Sequence, residues 1–351
     1  MDFRSTSALR KILAGMNFTG VDKLFQQFED SLGVILTFHH VNNVDEGKFA
    51  PNAHLAIRPS FLDAVIKLLK QRDIDIISMD EARARILKPV SGRRFAVLTF
   101  DDAYKDNLEQ AYPVLKKHGV PFMLYVATGL VEGTADLWWR GLEALVRQQD
   151  RLLVQLTTGP KELDCTTTDK KYRAFNELQK YLIKDVPEDD VRRRLREICW
   201  LYNIDLDAIR DETVMSWDDI GVLAEDPLCT IGAHTISHPI LSRMKASEAR
   251  HEMKEGAAVL EAEVGIKPSH FAYPVGTPDA AAYREFEIAR KLKFKTAVTT
   301  RPGLIFPEHK DHLMALPRIS VNGRFQRMRY FSPLMTGLPT MLANKFQRLN
   351  V

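Results

Sequence analysis

The chain has 351 residues, 45% of them hydrophobic and 27% charged, with a net charge of +3. This is an ordinary globular composition, too mildly basic to argue for nucleic acid as a partner, and no stretch approaches the roughly 20 apolar residues that span a bilayer. Cys165, Cys199 and Cys229 are odd in number and lack CxxC spacing, so they read as reduced thiols, and with no signal-peptide pattern the expected location is the cytoplasm.

Residues 1–33 form a helical extension by pattern, with helix-like spacing first of Leu9, Ile12, Leu13 and Met16 and then of Val21, Leu24, Phe25 and Phe28. An apolar run, "VILTFHHV", then ends in His39 and His40. A helix over "PSFLDAVIKLLKQR", a short strand "IDIIS" and a helix from Met79 to Leu87 lead to "FAVLTFDD", a strand that drives into Asp101 and Asp102. "NLEQAYPVLKKHG" reads as a helix closed by Gly119, and "PFMLYVATG" as the next strand. From about 135 to 213 the rhythm breaks into a polar, helix-rich insertion. It resumes with "CTIGAHT", a helix from Ala246 to Val264, "HFAYPVG", a helix from Ala281 to Leu292, "KTAVTT" and "MALPRISV". Strands alternating with helices predict βα units around a mainly parallel sheet. The segment 34–323 is read as this body, and 324–351 as a basic tail with five Lys and Arg and no acidic residue.

Chemistry gathers at the carboxyl ends of four strand-like runs: His39 and His40, Asp101 and Asp102, His234 and His238, and the Tyr273-Pro274 turn. Adjacent carboxylates repel, so something must share the site with them. On a straight strand His234 and His238 would lie about 13 Å apart, and Pro239 disfavours a helix at His238, so the chain must turn to bring both rings to one point. Two histidines and a carboxylate make a divalent-metal set, leaving the second aspartate free to act as a base. "DDAYKD" also matches the DDxxxD pattern of magnesium-dependent prenyl transferases, which expects an all-helical chain.

"TFDDAY", "HTISHP" and "FAYPVG", in that order, resemble the polysaccharide deacetylases of carbohydrate-esterase family four, the group that includes the nodulation chitooligosaccharide deacetylases. The resemblance covers about residues 34–130 and 214–321. It implies a distorted (β/α)7 barrel carrying a helical insertion, a divalent metal, zinc first with cobalt or nickel as alternatives, and hydrolysis of an N-acetyl group on an amino sugar. By its motifs Asp101 is the general base, Asp102, His234 and His238 hold the metal, Val275 supplies an oxyanion N–H and Tyr273 lies with it at the substrate.

Two departures stand out. Ala272 occupies the place of an arginine that holds the base, and no late Leu-x-His is present to supply a general acid; "LPRISV" has Arg318 there. "LTFHHV" resembles the opening of the permuted, poly-N-acetylglucosamine deacetylase branch, which makes His39 the acid and His40 its neighbour. Arg318 is then the candidate partner of Asp101. Ala103, where the family has glycine, is expected to leave the turn intact. Trp138 and Trp139 are read as insertion core, with sugar stacking as the alternative. The basic tail is read as a helix covering the barrel, with a membrane or glycan-assembly partner as the alternative. A deformylase on the same barrel and a carbohydrate-binding protein without turnover are the rival functions.

Overall fold

The computed structural model describes residues 3–20, 30–43, 47–90, 92–345 and 347–351. The expected helix through Val21–Phe28 lies outside the described residues.

Seven parallel strands curl around one axis in the order β11 (Thr296–Val298), β10 (His270–Ala272), β9 (Cys229–Ala233), β6 (Phe122–Val126), β5 (Phe95–Asp101), β1 (Gly33–Phe38) and β12 (Ile319–Ser320). A short β4 (Asp75–Ile76) pairs with the start of β5, whose later residues Thr99–Asp101 pair with β6 instead. Two further short strands, β2 (His40–Val41) and β3 (Ala56–Ile57), pair only with each other. Leu316, just ahead of β12, bridges Val298 of β11 while Ile319 pairs with Leu36 of β1, which closes the curl. This is the α/β barrel expected from the sequence.

The strands read as continuous apolar runs because both faces are covered. All seven residues of β5 are buried. Alternate side chains serve two cores. Leu36, Phe38, Leu98, Phe100 and Leu124 join the surrounding helices, including Pro59–Gln71 and Ala246–Val264. Ile35, Val97, Met123, Tyr125 and Leu316 fill the inside. Asp101 lies two and four residues beyond Thr99 and Val97, so its carboxylate belongs to the inner row.

The insertion has its own hydrophobic cluster, from Leu142 to Leu206, joined by Phe49 of an early loop. It is not all helix: an antiparallel hairpin, β7 (Arg151–Leu156) with β8 (Gly159–Asp164), sits among helices Trp138–Gln148, Thr168–Lys180 and Glu188–Leu201. Strict alternation of exposed and buried residues along β7 places Leu152, Val154 and Leu156 inward. That period of two is the signal the helical reading passed over. The tail forms helices Met328–Leu334 and Leu338–Ala343, and Phe331 and Met335 are buried in the main core. The covering role expected for it is what these contacts show.

Candidate active site

Asp101 ends β5, and the next two residues turn sharply in the left-handed region, Asp102 at φ 74° and Ala103 at φ 52°. Glycine would take this turn without strain, and Ala103 takes it buried and intact, at a steric cost of about 1–3 kcal/mol. Thr235 (φ 70°), His238 (φ 53°) and Val275 (φ 61°) are strained in the same way. Each lies in one of the three motifs, so strain is concentrated where the chain must aim functional groups.

Arg318 lies on the closing strand segment with its side chain fully buried. Its guanidinium grips Asp101 as a fork, Nη1 to Oδ1 at 2.8 Å and Nη2 to Oδ2 at 2.6 Å, and also donates to Thr99 Oγ1 (3.0 Å) and the Thr299 carbonyl (2.9 Å). Burial alone would raise the Asp101 carboxyl. The adjacent Arg318 charge and its hydrogen bonds outweigh that and hold it below the usual carboxylate range. The arginine missing at Ala272 is thus replaced in space from a different strand. Ala272 instead orients a ligand ring, because its carbonyl accepts from His234 Nδ1 at 2.7 Å and so turns Nε2 of that ring toward Asp102.

The chain reverses after β9, as the HxxxH spacing requires. Nε2 of His234 and of His238 each lie 3.5 Å from Asp102 Oδ1, and the three residues offer ligand atoms within 4.8 Å of one another. Asp102 Oδ1 and His238 Nδ1 are buried without a hydrogen-bond partner. Against burial, the two imidazoles keep Asp102 below the carboxylate range; burial pushes His238 down to about 4, leaving it an uncharged donor at neutral pH. One unpaired anionic oxygen with two imidazole Nε2 atoms converging on it fits a divalent cation with coordination positions left open.

The histidine loop is shaped from outside. Glu252 accepts from the N–H groups of Ile236 (3.0 Å) and Ser237 (2.9 Å) and from Ser237 Oγ (2.6 Å). From the insertion, Arg192 donates to Ser237 Oγ (2.7 Å) and Glu188 accepts from the Ile240 N–H (3.0 Å). These residues had no motif to mark them. Gly256 lets its helix approach the loop: a Cβ there would lie 2.6 Å from the Thr235 carbonyl carbon. Gly256→Ala is therefore expected to lower stability by about 1–3 kcal/mol and weaken metal binding by about tenfold or more, as read by thermal unfolding and metal titration; unchanged affinity would refute the loop's dependence on this approach.

His39 follows β1; burial lowers its pKa, and the charges of Asp101 and Asp102 act against that. His40 points elsewhere: Nδ1 pairs with Asp106 Oδ2 at 2.8 Å and the ring stacks on Tyr104 at 3.6 Å. Val275 is partly exposed, and its N–H makes no hydrogen bond among the described residues. Tyr273 corrects the sequence reading. Its ring is fully buried and its hydroxyl donates to the Met314 carbonyl at 2.9 Å, so it packs the core instead of facing substrate. Trp139 is buried against the His238 ring at 4.9 Å, and its Nε1–H donates to Tyr104 at 3.2 Å. It braces a ligand ring and Tyr104. Trp138 meets it edge-on at 5.7 Å and is half-buried against the insertion cluster.

Residues 88–158 and 201–297 match the profile of the family described as polysaccharide deacetylase. The chain carries a polysaccharide deacetylase domain. The hydrolase class comes with it, and the matched residues include Asp101, Asp102, His234 and His238. His39 and Arg318 lie outside the match, and Arg318 reaches Asp101 through the fold. Solved structures share that fold, among them the three that follow. The Streptococcus pyogenes deacetylase PplD, in complex with acetate, has TM-score 0.57 and 18% identity over 86% of this chain and 97% of that one. IcaB from Ammonifex degensii gives 0.56 and 18% over 88% and 98%. A de-N-acetylase from Aggregatibacter actinomycetemcomitans gives 0.54 and 11% over 86% and 99%. No curated protein sequence matches the chain.

Proposed function

We propose that the deacetylase domain hydrolyses the N-acetyl group of an amino sugar in an oligosaccharide, a polysaccharide or a carrier-linked precursor. The observation that carries this reading is the buried Asp101–Arg318 fork lying beside the Asp102, His234 and His238 triad. Asp102, His234 and His238 would hold the divalent ion, zinc first, with cobalt or nickel able to replace it. When bound, such an ion supplies Lewis acidity toward an acyl oxygen and toward water.

The protein's own groups divide the proton transfers. Asp101, kept ionised by Arg318, takes a proton from the attacking water. The fork fixes the plane of the carboxylate, because both of its oxygens are engaged by the guanidinium from one side. His39 gives a proton to the departing amine nitrogen. Burial pulls His39 below the usual histidine range while Asp101 and Asp102 pull it back, so its role as the acid requires that it enter the reaction protonated. The free Val275 N–H is the candidate donor to the developing oxyanion. We also propose a cytoplasmic location, on composition and cysteine usage.

The test is acetate release from N-acetylated chitooligosaccharides by zinc-loaded protein. Asp101→Asn keeps the shape of the base and removes its function, and is expected to lower kcat by about 10²–10⁴ with metal content unchanged. No acetate from any N-acetyl amino sugar by metal-replete wild type, or full activity in Asp101→Asn, would overturn the proposal.

A further inference from the structure

Two side chains at the end of the segment "DDAYKDN", Asp106 and Asn107, belong neither to the metal set nor to the Asp101–Arg318 fork. We propose that Asp106, backed by Asn107, is a positioning residue that fixes the loop after β1 and so sets His39, the proton donor, beside the general base. The role of His39 rests on the deacetylase reading; the anchoring of its loop does not.

The contacts of Asp106 set aside its simpler roles. An aspartate directly ahead of a helix ordinarily caps it, yet Asp106 precedes the helical turn Asn107–Ala111 and makes no side-chain cap bond. Nor does it complete a DDxxxD cation site, because four donors close on its carboxylate. Oδ1 accepts from the Val41 N–H (3.1 Å) and from Asn107 Nδ2 (3.0 Å), and Oδ2 accepts from His40 Nδ1 and Asn42 Nδ2, both at 2.8 Å. Three of the four donors belong to consecutive residues, His40, Val41 and Asn42. One acceptor-only group that engages three neighbours in a row fixes the path of their backbone, not merely one side chain.

Asn107 completes the hold. Its side chain is buried, and Nδ2 joins the Asp106 carboxylate to the His39 carbonyl, which accepts at 2.7 Å. The Tyr104 ring stacks on His40 from the same segment. His39 is therefore held through its own carbonyl and through the three residues that follow it. On its other side lies β1, whose register against β5 sets Phe38 beside Phe100 and so brings His39 level with Asp101. Residues 101–107 thus carry the base and a metal ligand at one end and the anchor of the donor's loop at the other. The spacing of acid and base is set within one short segment, and a displacement of about 1 Å at a reacting group can cost about a hundredfold in rate.

The experiment uses the full chain loaded with zinc and two substrates, an N-acetylated chitooligosaccharide and an N-acetyl arylamine, whose amine departs with less protonation. Asp106→Ala is expected to lower kcat on the chitooligosaccharide about a hundredfold, with KM and metal bound per chain close to wild type, and to lower it much less on the arylamine. In a His39→Ala background the same change should cost little further, because the donor that it positions is gone. Asp106→Asn keeps the shape and one acceptor oxygen, so it guards against a variant that fails to fold, and it should show the same selectivity to a smaller degree. Equal losses on the two substrates, or a loss that multiplies with that of His39→Ala, would mark a merely structural role and overturn the proposal, as would wild-type kcat in Asp106→Ala. The anchor also has a readout without turnover. The imidazole NMR signals of His39, assigned by their loss in His39→Ala, should move or broaden in Asp106→Asn while those of His234 and His238 stay in place. Unmoved His39 signals overturn the anchor. Moved signals in a protein that releases no acetate from any N-acetyl amino sugar support the anchor while overturning the deacetylase reading.

Discussion

Arg318→Ala is expected to cost about 3–5 kcal/mol of folding stability and to abolish turnover. Both partners of the fork are fully buried, and the guanidinium also satisfies Thr99 and the Thr299 carbonyl from inside the barrel. Truncation would leave Asp101 in a low-dielectric interior with Thr37 Oγ1, at 3.5 Å, as its nearest remaining donor. Its charge would then be disfavoured, and a protonated Asp101 cannot accept a proton from water. The stability loss belongs to the stranded charge rather than to the pair itself. Removing both charges together, as Asp101→Leu/Arg318→Met, should therefore recover most of the stability while remaining inactive. Denaturant unfolding of the two single variants and the double separates these effects. A double variant whose loss equals the sum of the singles would show that the fork carries no coupling, and would remove the basis for treating Arg318 as the partner of Asp101.

What the sequence made legible follows from where its physical constraints were local. A seven-residue buried strand needs apolar side chains throughout, so the appearance of Asp101 and Asp102 at its end was conspicuous. HxxxH before a proline forced a turn, and the turn is there. The helix Met79–Leu87 and the helix Ala246–Val264 were bounded correctly by their apolar spacing. The insertion hairpin was missed because a polar composition dominated a six-residue alternation. Tyr273 was misplaced because a three-residue strand carries too little periodicity to say which way its last side chains turn.

The contacts that support the site were less legible for another reason: they link residues far apart in sequence through groups with no motif. Glu252, Arg192 and Glu188 are unexceptional surface-type residues until the fold sets them under the histidine loop. Ala103 stands where glycine would normally mark the sharp turn after Asp102, and the turn expected to survive that change is intact. Arg318 was reachable by a different route, because the missing arginine at Ala272 posed the question of what else could hold Asp101.

His39→Ala should lower kcat by about 10²–10⁴ without loss of metal. The two adjacent histidines have separated duties in the fold. His40 is engaged by Asp106 on one edge and by the Tyr104 ring on its face, an arrangement that orders the loop after β1. His39 has the paired aspartates as its principal charged neighbours, with Arg318 opposing them, and its carbonyl is fixed by Asn107 Nδ2 at 2.7 Å. His39 is not one of the three residues that converge as the metal set. Removing it should leave Asp102, His234 and His238 unchanged in composition, so metal bound per chain should match wild type while the amine loses its proton donor. A substrate with a better leaving group, such as an N-acetyl arylamine, needs less protonation and should be impaired less than an amino sugar. His40→Ala is expected instead to lower thermal stability with a smaller effect on kcat. Wild-type kcat in His39→Ala would exclude it as the acid, and a large kcat loss confined to His40→Ala would transfer that role to its neighbour.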